Sequence, residues 1–330
     1  MKRDRLNKWA KPIALVGLII ILAILPFLFS SPYLLHILIL TFIYIVGAVS
    51  FRTITISGQF PLAHAAFMGI GAYTAAMLSH YWNWSPWITI PVGAITAGII
   101  GILFGYPFAR LRTLYYAMGS LFFGVAITYI LQSFKITGGY VGLTNIQPLF
   151  SSTSRVPYYY FFLVLALVCG VALYRFEFSR IGTNLKAIAQ SHLLASSAGI
   201  NEVRYRVLAV AAGCFFVGLV GAAFAHYNGI VTPTTFNLSA TLWLAMYVMI
   251  GGMASFAGPL IGTPILYFIP QYYFSDLKSY SPFIPAVILI IIAYLMPKGL
   301  AGLIFMLKSR YLDKLWDRMK GKGVADVAGY

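Results

Sequence analysis

Residues 33–51 read YLLHILILTFIYIVGAVSF, a run with no Lys, Arg, Asp or Glu. A helix rises about 1.5 Å per residue, so a run of this length crosses a hydrocarbon layer about 30 Å thick. Lipid offers the backbone no hydrogen bonds, so a spanning segment has to be helical or close into a barrel. Similar runs lie near 13–30, 61–80, 86–108, 113–133, 157–174, 206–227, 238–253, 256–275 and 281–297. The runs at 61–80, 238–253 and 256–275 are the weakest, because Gly, Pro, Ser and Thr interrupt them. Over all 330 residues 60% are hydrophobic and 9% charged, where a soluble domain carries about a quarter charged residues. Too few charges remain to cover a water-soluble globule. The pattern predicts an all-α fold: a polytopic transmembrane helical bundle of about ten spans.

The net charge of +16 invites a nucleic-acid reading, but Lys and Arg fall in short clusters between apolar runs. That is the pattern of cytoplasmic loops under the positive-inside rule, and it argues against nucleic acid as a partner. With the N-terminus in the cytoplasm, ten crossings leave only Lys135, Arg155 and Lys278 outside. This predicts both termini in the cytoplasm, with a basic N-terminal segment at 1–12, a membrane domain at 13–305 and a basic tail at 306–330. The first run is long, contains Pro26 and is followed by no small-residue cleavage site, so it reads as a retained helix, not a signal peptide. Tyr81, Trp82, Trp84 and Trp87 mark one outer boundary, and Tyr158, Tyr159 and Tyr160 another. Cys169 and Cys214 sit inside apolar runs and read as small buried hydrophobes, with no metal implied.

Five spans followed by five spans give halves of opposite orientation, compatible with an inverted repeat. The seven acids (Asp4, Glu177, Glu202, Asp276, Asp313, Asp317 and Asp326) all lie at loops or ends. Ion- and proton-coupled carriers, the competing reading, generally place ionisable groups at membrane depth, so this chain reads as a pathway driven from outside itself. It carries no phosphate-binding loop and no catalytic or metal signature, which disfavours a membrane enzyme and points to no cofactor in this chain.

Four segments carry further information. In 57–74, Gly58 and Pro61 break the helix, while Gly69 and Gly71 give a small-residue face. Such a break is either part of a translocation path, with His64, Phe67 and Tyr73 beside it, or a tight helix contact. Gly251, Gly252, Gly258 and Pro259 form a second broken segment with the same two readings. The longest cytoplasmic loop, 176–206, predicts a short helix with Ile181, Leu185 and Ile188 on one face, then a second turn from Leu193 to Ala198 ending at Gly199. It fits either a groove on a cytoplasmic partner or the membrane surface. Thr137, Gly138 and Gly139 open an external Gly-rich loop where a delivery partner could dock.

Together these segments resemble the permease subunits of branched-chain amino-acid ABC importers, of the LivM type. The resemblance spans roughly 35–305. It rests on the stretch 57–75, the block from Tyr106 to Gly124, Thr137-Gly138-Gly139 with Gly142-Leu143, Asn184-Leu185-Lys186-Ala187-Ile188 with Ala198-Gly199-Ile200-Asn201, Gly251-Gly252 with Gly258-Pro259, and Pro297-Lys298-Gly299-Leu300-Ala301-Gly302-Leu303. It implies a homologous second permease, two cytoplasmic ABC ATPases that would bind ATP and Mg, an extracytoplasmic binding protein, and a bacterial inner membrane. The solute would be a branched-chain amino acid or a related small polar solute such as urea or a short amide. The ATPase-coupling residues would be Arg180, Leu185, Lys186, Ile188 and Gly199. Members of the family usually carry an acid where Gln190, Ser191 and His192 stand here, so ATPase contact would rest more on shape, Lys186 and Arg180.

Overall fold

The computed structural model describes residues 17, 20–26, 31–151, 154–273 and 290. The expected basic ends at 1–12 and 306–330 lie outside the described residues, as does the run at 281–297 apart from Ile290. Among the described residues the fold is helical, with α1 (Pro32–Thr55), α2 (His64–Trp82), α3 (Pro86–Phe108), α4 (Thr113–Ser133), α5 (Val156–Glu177), α6 (Arg180–Gln190), α7 (His192–Ser197), α8 (Glu202–Asn228), α9 (Leu238–Gly251) and α10 (Ala257–Thr263). A π-helical stretch, Pro264–Phe268, then leads into α11 (Ile269–Tyr273).

Five of these, α1, α3, α4, α5 and α8, are long and apolar enough to cross a membrane. The expected ten is therefore not reached among the described residues, nor is a five-plus-five repeat. Of the run at 13–30 only residues 17 and 20–26 are described, and the other three missing runs have local causes. α2 is built largely of Ala, Gly, Ser and His, and it fills the bundle interior instead of facing lipid. α9 has 14 residues, too few to span. The run expected at 256–275 is divided between α10, the π-helical stretch and α11.

α8 is the hub, packed against α3, α2 and α1. Close approach comes from glycine. A side chain on Gly71 would overlap the Gly218 carbonyl, and one on Gly93 would meet the Gly71 carbonyl oxygen at 2.6 Å. α2, α3 and α8 therefore touch backbone to backbone, where dispersion contacts are densest. Around this contact Phe67 stacks on Phe123 at 5.4 Å and meets Phe104 edge-on at 5.7 Å.

The two ends of the bundle differ. At the basic end, Arg206 of α8 donates to the Ala109 carbonyl at 3.1 Å, and Thr113 of α4 donates to the Gly58 carbonyl at 3.0 Å. At the loop end, Tyr81 bonds Ile136 and Gln147 bonds Ser79, while Leu143 pairs with Val231 through two 2.9 Å backbone bonds. Tyr81, Trp82, Trp84 and Trp87 are exposed there, as the belt reading requires. Tyr158 and Tyr159 are instead buried, and Tyr160 is half-buried. The Tyr159 and Tyr160 hydroxyls donate to the carbonyls of Leu22 and Ala23, so a preceding helical segment covers the faces expected to meet the interface.

Candidate functional site

The loop 176–206 folds because its polar residues cap short helices. Ser179 accepts from the Ile181 amide at 3.2 Å and starts α6, and Ser191 accepts from the Leu194 amide at 3.4 Å and starts α7. Gly199, at φ +77°, takes the left-handed turn after α7, and Asn201 caps α8. The apolar stripe of α6 faces inward. Leu185 is fully buried and Ile188 nearly so, with Ile181 half-buried, so these side chains bind α6 to its own bundle. Exposed on α6 are Arg180, Thr183, Ala189 and Gln190, and on α7 Ser196 and Ser197 with Leu193 and Leu194 at 69% and 73% exposure.

Under α6 lies an ionic cluster. Glu177 Oε2 is ion-paired with Arg52 Nη1, and its Oε1 accepts from Lys186 Nζ at 3.0 Å. Gly182 allows this approach, because a side chain there would overlap the Glu177 carbonyl. Burial, and secondarily the Arg52 guanidinium, lower the Lys186 pKa from its ordinary value. The side chain still keeps 42% of its surface in solvent, and Phe178 lies under its ammonium at 4.9 Å.

The first broken segment turns at Gly58, φ +81°, beneath Ala189 of α6. His64 Nε2 bonds Ser50 Oγ at 2.9 Å, and its ring meets Phe51 edge-on. Gly69 backs onto the Phe236 ring, and the Tyr73 hydroxyl donates to the Val231 carbonyl at 3.3 Å. In the second broken segment Gly252 adopts φ +108°, and side chains at Gly251 or Gly258 would overlap backbone across the turn; Pro259 is buried beside them. The nominated residues thus make helix-to-helix contacts. One neighbour stands apart: Gln59 is buried with neither amide atom hydrogen-bonded.

A cavity of about 440 Å³ lies elsewhere, between α1, α9 and the stretch 266–271. Tyr44, Trp243, Tyr247 and Tyr267 form its walls, with Asn237, Ser239 and Gln271 as polar groups. None of the nominated path residues lines it. Tyr44 and Tyr267 meet edge-on at 4.6 Å beside the π-helical stretch, a feature frequent at functional sites. The readable signal was aromatic residues set mid-run, away from the interfacial belts.

In the Gly-rich loop after α4 the Thr137 hydroxyl donates to Leu131 and Phe134 at 2.6 and 2.7 Å, and Gly138 and Gly139 take positive φ. These residues shape the turn, and Tyr140 and Val141 form its exposed tip. No group of three or more His, Cys, Asp or Glu able to share a metal occurs among the described residues.

Residues 33–293 match the family model described as the branched-chain amino acid transport system / permease component. The chain is similar to the high-affinity branched-chain amino acid transport system permease protein LivM of Escherichia coli strain K12, at 28% identity covering 87% of this chain and 74% of that protein. It is similar to LivM of Salmonella typhimurium at 26% identity with the same coverage. No solved structure gives a significant match. A family match across most of the length, on a bundle of apolar helices, has one conclusion: this multi-pass membrane chain belongs to the branched-chain amino acid ABC transporter permease family, a family of transport subunits and not of enzymes.

Proposed function

We propose that the chain forms half of the translocation path of an ATP-driven importer for branched-chain amino acids or closely related small solutes. A homologous permease supplies the other half, two cytoplasmic ATPases drive it, and an extracytoplasmic binding protein delivers the solute. The basic end is cytoplasmic in this reading, with about ten crossings in the full chain and both termini on that side of a bacterial inner membrane.

The observation that carries the coupling role is the division of α6 and α7 into two faces. Leu185 and Ile188 hold the loop to the bundle, while Leu193 and Leu194 of α7 and Arg180 at the start of α6 stand exposed. Two adjacent exposed leucines offer an apolar patch for a partner. Burying each contributes about 2 kcal/mol, or roughly 30-fold in affinity. The ATPase therefore docks on Leu193 and Leu194, with Arg180 at the rim and Lys186 and Gly199 shaping the platform. The test is recovery of the ATPase with the purified chain. L193S and L194S each lower recovery at low ATPase concentration while membrane insertion is unchanged. Full recovery with both substitutions means that the leucines contact lipid.

The solute path in this reading uses the cavity walled by Tyr44, Trp243, Tyr247 and Tyr267. Aromatic walls suit an apolar side chain, and the amides of Asn237 and Gln271 offer neutral hydrogen bonds to its charged ends. Gly58, His64, Phe67, Gly69, Gly71, Tyr73, Gly251, Gly252, Gly258 and Pro259 then set how the helices around the path pack. Tyr140 and Val141, presented by Thr137, Gly138 and Gly139, meet the delivery protein.

A further inference from the structure

Arg52 sits in the last turn of α1, where two other elements contact it directly and a third does so through Glu177. Its Nη1 is ion-paired with Glu177 at the end of α5. Its Nε donates at 3.2 Å to the carbonyl of Met253, in the break between α9 and α10. The second oxygen of Glu177 carries the contact on to Lys186 of α6 at 3.0 Å. Both members of the central pair are nearly inaccessible, with 2% of the Arg52 side chain and 4% of that of Glu177 exposed. A parallel contact runs beside it, where Tyr174 of α5 meets Phe256 edge-on at 5.2 Å.

α6 therefore reaches both broken segments. It lies over the first, where a side chain on Gly58 would meet Ala189 at 3.5 Å. It reaches the second through Lys186, Glu177, Arg52 and the Met253 carbonyl. Fastening alone does not account for this choice of residues. The desolvation of a buried ion pair offsets most of its attraction, and apolar packing would hold α1 to α5 as well. A guanidinium adds geometry: its donors lie in one rigid plane, so the carboxylate and the carbonyl it holds cannot shift independently.

We infer that Arg52 is a positioning residue that transmits movement of α6 to the broken segment at 252–258, with Glu177 as the link between them. The inference rests on the importer reading and adds to it a named route from the coupling loop to the second break.

The test is the number of ATP molecules hydrolysed per solute taken up, measured with the full chain in liposomes together with its ATPase, second permease and delivery protein. R52Q and E177Q each remove one charge of the pair; Gln matches Glu in shape at 177 and is shorter than Arg at 52. A merely structural role lowers assembly and both rates together and leaves the ratio unchanged. The route raises the ratio by roughly 2- to 30-fold, the range of coupling carried by residues along such networks. The double substitution is then no worse than the worse single one, because the two residues act through one contact. A ratio unchanged in every variant that assembles overturns the inference. E177Q decides alone if R52Q fails to accumulate. If the unsubstituted chain takes up no solute on ATP hydrolysis, the importer reading itself fails, an outcome visible before any variant is compared.

Discussion

Gly71 of α2 lies directly against Gly218 of α8, with no side chain between the two backbones. Gly93 of α3 closes on the same point. The three central helices are thus held at a spacing only glycine permits.

Gly71→Val forces α2 and α8 apart. Overpacking of this kind costs about 1–3 kcal/mol. The thermal midpoint of the detergent-solubilised protein, followed by loss of the monodisperse peak on size exclusion, falls by several degrees. Gly170→Val in α5 is the matched control, because a side chain there meets nothing within 4 Å. Equal midpoints for the two variants would contradict the packing described.

Gly182→Ala acts on the loop without disturbing the bundle. The added methyl overlaps the Glu177 carbonyl and lifts α6 from its seat, breaking the 3.0 Å contact between Lys186 and Glu177. Trypsin cleavage at Arg180 and Lys186 in purified protein becomes several-fold faster, and uptake falls while the membrane-inserted amount is retained. Cleavage at the unsubstituted rate would mean that α6 is not seated on Glu177.

Trp243→Ala opens one wall of the cavity. An aromatic contact contributes about 0.5–1.5 kcal/mol beyond its buried area. That corresponds to roughly a 2- to 12-fold rise in the KM for uptake at saturating delivery protein. Trp84→Ala, at the exposed loop end, leaves KM where it was. A Trp243 variant with unaltered KM removes the cavity from the path.

Cys169 and Cys214 are the chain's two cysteines, and both are free and buried. A polar maleimide therefore labels neither in the folded protein in detergent, and both once it is denatured, as read by intact mass. Labelling of the folded protein at either site would place that face of α5 or α8 toward water.

Much of the helical layout was legible in the residues. The runs at 86–108 and 113–133 coincide with α3 and α4, because apolar length sets a span and the basic or turn-forming residues at its ends stop it. The small helices of the loop were legible too, from the spacing of Ile181, Leu185 and Ile188 and from Gly199; the caps Ser179, Ser191 and Asn201 act on backbone within three residues of themselves. The cavity was not, because its walls come from Tyr44, Trp243 and Tyr267, which no local pattern connects.

By itself, the amino-acid order determined most of the helical runs, that the chain belongs in lipid and that its charges fall mainly between apolar runs, since each of these depends on neighbours a few positions away. The partner of each face was decided only in three dimensions. The stripe of Leu185 and Ile188 would look the same whether it met an ATPase, a lipid surface or its own bundle, and it is the bundle that buries it. Arg52 and Glu177 lie 125 positions apart, and only the packing of α1 against α5 brings their charges together. Periodicity reports that a face is apolar and composition that a residue is charged. What covers the one and neutralises the other depends on how distant helices close around them.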